Sequence, residues 1–150
     1  MMTEWLEQET STHQDHVIAH VLGATVLGYF VFEEAAHLLL DIGFIWTILL
    51  DGEMGLVPQS LAIAELLIDD EAKAGLLDDA QRLHSDGPVD APLLSSMKNA
   101  PADCLITEVD FYAHDEQRRI AVKCEGASLF IETSLMTREI NIDAPAGAAG

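Results

Sequence analysis

The chain has 150 residues, of which 49% are hydrophobic, and it carries 26 Asp and Glu against 7 Lys and Arg, for a formal net charge of −19 at pH 7. This composition excludes wholesale disorder, which requires low hydrophobicity alongside high net charge, and the length fits one domain. Because the charge would repel nucleic-acid phosphates and anionic lipid surfaces, direct nucleic-acid binding is not expected.

The acidity has two explanations. The general explanation is solubility, because an acidic surface keeps a domain dispersed. The more specific explanation is adaptation to a high-salt host, which the presence of only three lysines suggests. The longest uncharged apolar run, 17–32, is shorter than the ~20 residues that cross a bilayer. The first 16 residues are acidic and polar, unlike a secretory signal. We therefore expect a cytoplasmic protein without a membrane segment.

The N-terminal region predicts a helix followed by a buried strand. Ser11 and Gln14 have the spacing of a capping box, so the helix is expected to begin near Thr12. The segment 24–32 is rich in β-branched and aromatic residues, and both of its alternating sets of positions are apolar. This pattern favours a strand that is buried on both faces.

The segment that follows has two interpretations. We expect a short helix over 33–41, with Gly43 near its C-terminal cap, and then a second strand over 44–50. A continuous hairpin through 17–51 is the alternative, because periodicity alone does not distinguish a short buried helix from a strand.

The most regular helical pattern begins at Pro58 and extends to His84. Its apolar residues repeat at helical spacing, which predicts amphipathic helix, and Gly75 is expected to divide it into two. The segment 85–103 contains three prolines and predicts a long surface loop, either a tether between helices and sheet or a cover over a site.

The C-terminal third predicts an antiparallel meander. Apolar and polar residues alternate in three segments over 105–135, and Ile140 and Ile142 indicate a fourth strand.

The register of the first hairpin in this meander follows from its pattern. A turn centred on Glu116 and Gln117 would set the apolar residues of the two strands opposite each other and would pair Val109 with Cys124. Cys124 would then be an inert core residue. In this register Cys104 is about five residues from the position opposite Cys124, too far for a disulfide.

The candidate metal ligands form two groups. His13, His16 and His20 have the pattern H-x-x-H-x-x-x-H, which places three imidazoles on one side of a helix. Glu34 and His37 form E-x-x-H, a spacing that metal-carboxylate bundles use. Together these residues could hold a divalent metal ion as cofactor. If the second group lies on a strand, its two side chains point to opposite faces.

The interpretation that we favour for these histidines is structural. His13 and His16 would lie on an exposed first turn, and His20 and His37 would be hydrogen-bonded within the fold. The sequence contains no nucleophile elbow and no glycine-rich phosphate loop. Trp5, in an acidic arm, is expected to dock either on a partner or on its own domain.

The predicted fold is α+β, with a helical layer (58–84 and an N-terminal helix) packed on an antiparallel sheet that includes the meander at 105–135. Residues 1–142 would form one domain with an N-terminal arm over 1–11, and 143–150 a disordered tail. The leading function is a non-catalytic module that binds a protein or small ligand, with homodimer formation as one form of assembly. The alternative is a small metal-dependent hydrolase.

Overall fold

A computed structural model of the protein describes residues 6–7, 9–32, 34–86, 97–100 and 103–143. The described residues form three helices and ten strands. The helices are α1 (Thr12–Val21), α2 (Gln59–Ala64) and α3 (Asp70–Asp86). The strands are β1 (Leu6–Glu7), β2 (Val26–Phe32), β3 (Ala35–Leu40), β4 (Phe44–Leu49), β5 (Met54–Pro58), β6 (Lys98–Asn99), β7 (Ile106–His114), β8 (Gln117–Cys124), β9 (Ser128–Ser134) and β10 (Glu139–Asp143).

The strands form two antiparallel sheets of five strands each. The first sheet has the order β5-β4-β3-β2-β6, and the second sheet has the order β1-β7-β8-β9-β10. This arrangement confirms the predicted α+β class and the C-terminal meander. The capping box at Ser11 and Gln14 is also present and begins α1 as predicted. None of the described helices has both the length and the apolar character needed to cross a membrane.

The first sheet is the middle layer of three, which explains why β3 is buried at every position. Leu38 and Leu40 belong to the core that fills the space between the two sheets and α1. Leu39, on the opposite face, belongs to a second core that includes residues of α2 and α3. The sequence of a central strand that has apolar contacts on both faces does not alternate between polar and apolar residues, so its pattern does not predict a strand.

The predicted helix over 33–41 is therefore wrong. Ala35–Leu40 forms β3, which pairs with β2 on one side and with β4 on the other. A turn at Glu34, with φ of 61°, reverses the chain after β2. The alternative, a continuous hairpin through 17–51, is correct only in part, because residues 17–21 belong to α1 and the rest of the region forms the three antiparallel strands β2, β3 and β4.

The predicted division of the helical region at Gly75 is also wrong, because Gly75 lies within α3 and the break falls at 65–69. The Oδ1 atom of Asp69 accepts a hydrogen bond from the amide of Ala72 at 2.7 Å. An aspartate in this position caps a helix N-terminus, so a new helix begins at Asp70.

The predicted loop over 85–103 begins later than expected, because α3 continues to Asp86, and it contains β6. Its remaining residues at 87–96 and 101–102 lie outside the described part of the chain. Trp5 and the predicted tail, apart from Asp143 in β10, also lie outside it.

The β7–β8 hairpin has a register two residues from the predicted one. Val109 pairs with Val122, because a two-residue turn at Asp115 and Glu116 is tighter than expected. Asp115 adopts a φ of 53°, as the short hairpin turns require. A shift of two residues keeps each side chain on its predicted face, so the alternation of apolar and polar residues holds.

The hairpin register shifts again between Ile106 and Glu108, where β7 has a bulge. Ile106 consequently lies opposite Cys124. The prediction that Cys104 and Cys124 are far apart is wrong for these two reasons, and their sulfur atoms are 3.2 Å apart.

The segment 103–106 joins the two sheets. On one side, the Cys104 carbonyl accepts a hydrogen bond from the Val26 amide and the Ile106 amide donates to the Ala24 carbonyl, both at 2.9 Å. On the other side, the Leu105 carbonyl accepts from the Glu125 amide at 3.0 Å. The segment thus hydrogen-bonds to residues of both halves of the fold just before β7, and we call it the junction.

Gly28, in β2, is the position where close packing most clearly requires glycine. A Cβ atom there would lie 2.8 Å from the carbonyl oxygen of Lys98 and 2.7 Å from Cδ1 of Leu83. We expect Gly28→Ala to lower the free energy of unfolding by about 1–3 kcal/mol, because β6 and α3 would have to move. Equilibrium denaturation with urea measures this change.

Gly55→Ala is the matched control, since a Cβ atom on Gly55 in β5 meets no atom within 4 Å. We expect that variant to stay within about 0.5 kcal/mol of the parent protein. Equal losses in both variants would show that the packing around Gly28 is not as described.

Candidate functional site

The three N-terminal histidines of the predicted metal site lie on α1, as expected. The Nε2 atom of His13 is 2.9 Å from the carbonyl oxygen of Met54. Because a carbonyl oxygen only accepts, Nε2 donates this hydrogen bond. His16 and His20 are exposed, so His20 is not the internal residue that we expected.

The other two predicted ligands lie apart from each other. Glu34 is in the β2–β3 turn, where its carboxylate accepts hydrogen bonds from Nε of Arg138 at 3.2 Å and from Nη2. His37 is buried in β3, with Nδ1 at 3.0 Å from Oγ1 of Thr47 and its ring stacked on Phe30 at 4.8 Å between centroids. The E-x-x-H pair does not share a helical face, because its segment is a strand.

Within the described residues, no group of three or more His, Cys, Asp and Glu side chains is placed to hold a metal ion. Metal binding by His13, His16, His20, Glu34 and His37 stays a prediction. Elemental analysis of untagged protein, purified without chelator, tests it against a His16→Ala, His37→Ala variant.

A candidate site is a cavity of about 210 Å³ at the open end of the space between the two sheets, which we call the inter-sheet cavity. α1, the β4–β5 turn and the inner face of the second sheet contribute to it. Its lining consists of Glu9, Gln14, Leu49, Asp51, Gly52, Phe111, Tyr112, Arg118, Arg119, Ile120, Ile131 and Thr133.

Two hydrogen bonds hold the walls of this cavity together. Thr133, in β9, donates its hydroxyl hydrogen to the carbonyl of Leu50 at 3.0 Å. Gln14, in α1, donates from Nε2 to the carbonyl of Gly52 at 2.8 Å. Both acceptors belong to the β4–β5 turn, which is therefore attached to the second sheet and to α1.

One part of the cavity lining, which we call its floor, is apolar, and one cation lies on the same face of the sheet. Ile120 pairs with Phe111 and with Ile131, so the three side chains project from the second sheet in one direction. Arg118 precedes Ile120 by two residues and therefore shares that face. It donates from Nη1 to the carbonyls of Asp115 at 2.8 Å and Gln117 at 2.9 Å, which fixes the guanidinium.

The cavity lining contains three further charged residues, Glu9, Asp51 and Arg119. Glu9 and Asp51 add carboxylates to the cavity lining. Arg119 donates from Nε to Oε2 of Glu132 at 2.6 Å, and its guanidinium lies 5.6 Å from the ring centroid of Phe130. Arg118 also lines the cavity, and among the described residues no carboxylate forms a direct ion pair with it.

The few cations of this acidic chain are concentrated on one strand. Three of the seven Lys and Arg residues lie on β8, the central strand of the second sheet. Lys123 lies 2.9 Å from Asp110 and 3.2 Å from Glu108 on the outer face, where solvent limits the stabilisation that such pairs give. Arg118 is the member of this group that faces inward, which distinguishes it from the other two.

A second groove, of about 400 Å³, lies beside α2 and contains His37, Thr47, Leu49 and Leu66. Its described lining has no Lys or Arg, and most of it is apolar. The groove lacks the combination of apolar floor and opposite charges that distinguishes the inter-sheet cavity.

Sequence reasoning does not identify the cavity, although one signal for it is present. Arg118 occupies a position of the apolar set that Ile120 and Val122 continue along β8. A charged residue on the inward face of an amphipathic strand is unusual and indicates a partner or a ligand. The opposing residues, Gln14 and Asp51, are distant in sequence, so only the tertiary structure shows their proximity.

Comparison of the chain with protein-family models, with curated proteins and with solved structures gave no match.

The hydrogen bond from Thr133 to Leu50 leads to a prediction about the cavity wall. Thr133→Val preserves the shape of the side chain but leaves the buried carbonyl of Leu50 without this donor. We expect the free energy of unfolding to fall by about 1–2 kcal/mol in urea denaturation.

Thr137→Val is the control, because Thr137 is exposed in the β9–β10 turn. Its stability should change by less than about 0.5 kcal/mol. A stable Thr133→Val protein would mean that this bond does not hold the turn to the second sheet.

Proposed function

We propose that the chain is a non-catalytic binding module and that the inter-sheet cavity binds a small zwitterion with an apolar side chain, of the apolar α-amino-acid class. The observation that carries this proposal is the inward-facing Arg118 beside an apolar floor in a cavity that also contains carboxylates. Each part of the cavity matches one part of such a ligand.

Arg118 supports recognition of a carboxylate. Within the described part of the chain, its hydrogen bonds involve Nη1, so the N–H groups on Nε and Nη2 remain available to a ligand. A guanidinium presents these groups as a planar fork that matches a carboxylate. The two carbonyl contacts orient the fork before the ligand arrives, which reduces the entropy lost on binding.

Asp51 and Glu9 support recognition of an ammonium group. Both line the same cavity as Arg118, and a cavity of about 210 Å³ is small enough for one ligand to span it. Asp51 accepts a hydrogen bond from the amide of Glu53 at 3.0 Å through Oδ1, which holds its carboxylate in place.

The net charge of the protein favours a zwitterion over a simple anion. A formal charge of −19 repels anions at long range, whereas a ligand without net charge approaches freely. The floor of Phe111, Ile120 and Ile131 then provides apolar contacts for the side chain of the ligand. The volume is below the ~300–1,000 Å³ of drug-sized pockets, so the ligand is of metabolite size.

Isothermal titration calorimetry with L-leucine and L-phenylalanine tests this proposal. We expect both to bind the parent protein, and phenylalanine amide and 3-phenylpropionate, which each lack one charged group, to bind at least about tenfold more weakly. Arg118→Gln and Asp51→Asn should each weaken binding of the amino acids by a similar factor, since each removes one charge.

Arg138→Gln is the control for charge, because Arg138 lies on the β9–β10 turn, outside the cavity lining. It should leave the affinity unchanged. Failure of every zwitterion to bind, or equal affinity in the parent and Arg118→Gln proteins, would refute the proposal.

The protein-assembly function and the metal-dependent hydrolase stay predictions from the sequence. No arrangement within the described residues favours either function over ligand binding in the inter-sheet cavity. Light scattering at micromolar concentrations tests homodimer formation, and the elemental analysis tests the metal.

A further inference from the structure

Cys104 and Cys124 form a thiol pair at the junction between the two sheets. Their Sγ atoms are 3.2 Å apart, and both cysteines are free thiols. Cys104 is fully buried, whereas Cys124 is partly exposed. A small reagent can therefore approach Cys124 more readily than Cys104.

The backbone around the pair is held on both sides. The Cys104 carbonyl accepts from the Val26 amide at 2.9 Å, and the Gly126 amide donates to the Asp103 carbonyl at 2.9 Å. A Cβ atom on Gly126 would lie 2.6 Å from that of Asp103, so glycine permits this close approach. These contacts fix the backbone on both sides of the thiol pair.

The two thiols differ in acidity because of their contact. The hydrogen bond from Cys104 lowers the pKa of Cys124, against an opposing effect of burial. The same hydrogen bond, together with burial, raises the pKa of Cys104 far above that of an ordinary thiol. The thiolate, which is the reactive form, is therefore favoured at Cys124, the less buried residue of the pair.

We propose that Cys104 and Cys124 are an oxidation site, at which a hydroperoxide converts the two thiols into an intrachain disulfide. This inference is independent of the proposed ligand of the inter-sheet cavity. Cys124 is the attacking sulfur and Cys104 the resolving one, because Cys124 is partly exposed whereas Cys104 is fully buried.

The reaction proceeds in two balanced steps. The Cys124 thiolate attacks one oxygen of hydrogen peroxide, so that an S–O bond forms, the O–O bond breaks, and hydroxide leaves to become water. Cys104 then attacks the sulfenic sulfur of Cys124, the S–O bond breaks, and the oxygen leaves as water with the Cys104 proton. Two electrons pass from the sulfurs to the peroxide, and two water molecules are released.

Hydrogen peroxide suits this site in charge and in size. It is neutral, so the net charge of −19 does not repel it as it repels an anionic disulfide reagent. It is also small enough to reach a partly exposed sulfur. To form the bond, the sulfurs must approach each other by about 1 Å.

The disulfide would attach the junction covalently to β8. Because the crosslink closes the loop that contains the β7–β8 hairpin, it restricts the unfolded chain and stabilises the native fold. We expect the oxidised protein to melt about 5 °C or more above the reduced protein, and a thiol reductant to reverse the change.

The test treats the reduced protein with a small excess of hydrogen peroxide under native conditions, followed by denaturation without reductant. We expect both thiols to be lost to thiol titration and the mass of the monomer to fall by about 2 Da, the mass of two hydrogen atoms. Persistence of both thiols, or a disulfide between two chains, would overturn the proposal.

Two variants assign the roles of the cysteines. Cys104→Ala should stop at the sulfenic acid, which dimedone traps, because the resolving thiol is absent. Cys124→Ala leaves only the buried thiol and should react at least about tenfold more slowly. Equal reaction rates of the two variants would contradict the assignment, and circular dichroism establishes that each is folded.

Discussion

The junction at 103–106 is the constraint on which the relation between the two sheets depends. Cys104 and Ile106 hydrogen-bond to residues 23–26, at the start of β2, whereas Asp103 and Leu105 hydrogen-bond to the β8–β9 turn. Alternate residues of one short segment thus form backbone hydrogen bonds to both sides. The side chains of Cys104 and Ile106 enter the core between the sheets, so the same segment sets the spacing of the layers and the contact of the two thiols.

This junction also accounts for the position of the inter-sheet cavity. Apolar side chains fill the space between the sheets over most of their length, including the buried Trp46, Ile120 and Val122. At the end of β8 far from the junction, Arg118 and Thr133 replace apolar side chains on the inward face. The sheets are held there by polar contacts to the β4–β5 turn rather than by a continuous core, and a cavity remains between them.

Local patterns predict those parts of the fold in which one face is polar. The capping box of α1 and the alternation in β7 to β9 depend on short-range chemistry that the sequence displays directly. β3 is not predictable in this way, because Ala35–Leu40 has apolar residues on both faces, with His37 as its one polar residue, and its position between two layers makes it a strand. The hairpin register differs from the prediction because Asp115 permits a tighter turn than the apolar pattern alone requires. The cavity and the thiol pair both depend on contacts between residues that are distant in the chain, which no local pattern contains.

Amide hydrogen exchange measured by NMR tests the central claim, that the junction unites the two sheets into one cooperative structure. The amides of Gly23, Val26 and Ile106, which bond across the junction, should exchange within about tenfold of the slowest amides of β3, because all of them would open only on global unfolding. Junction amides that exchange several orders of magnitude faster than those of β3 would show that the two sheets open independently, and would contradict this account.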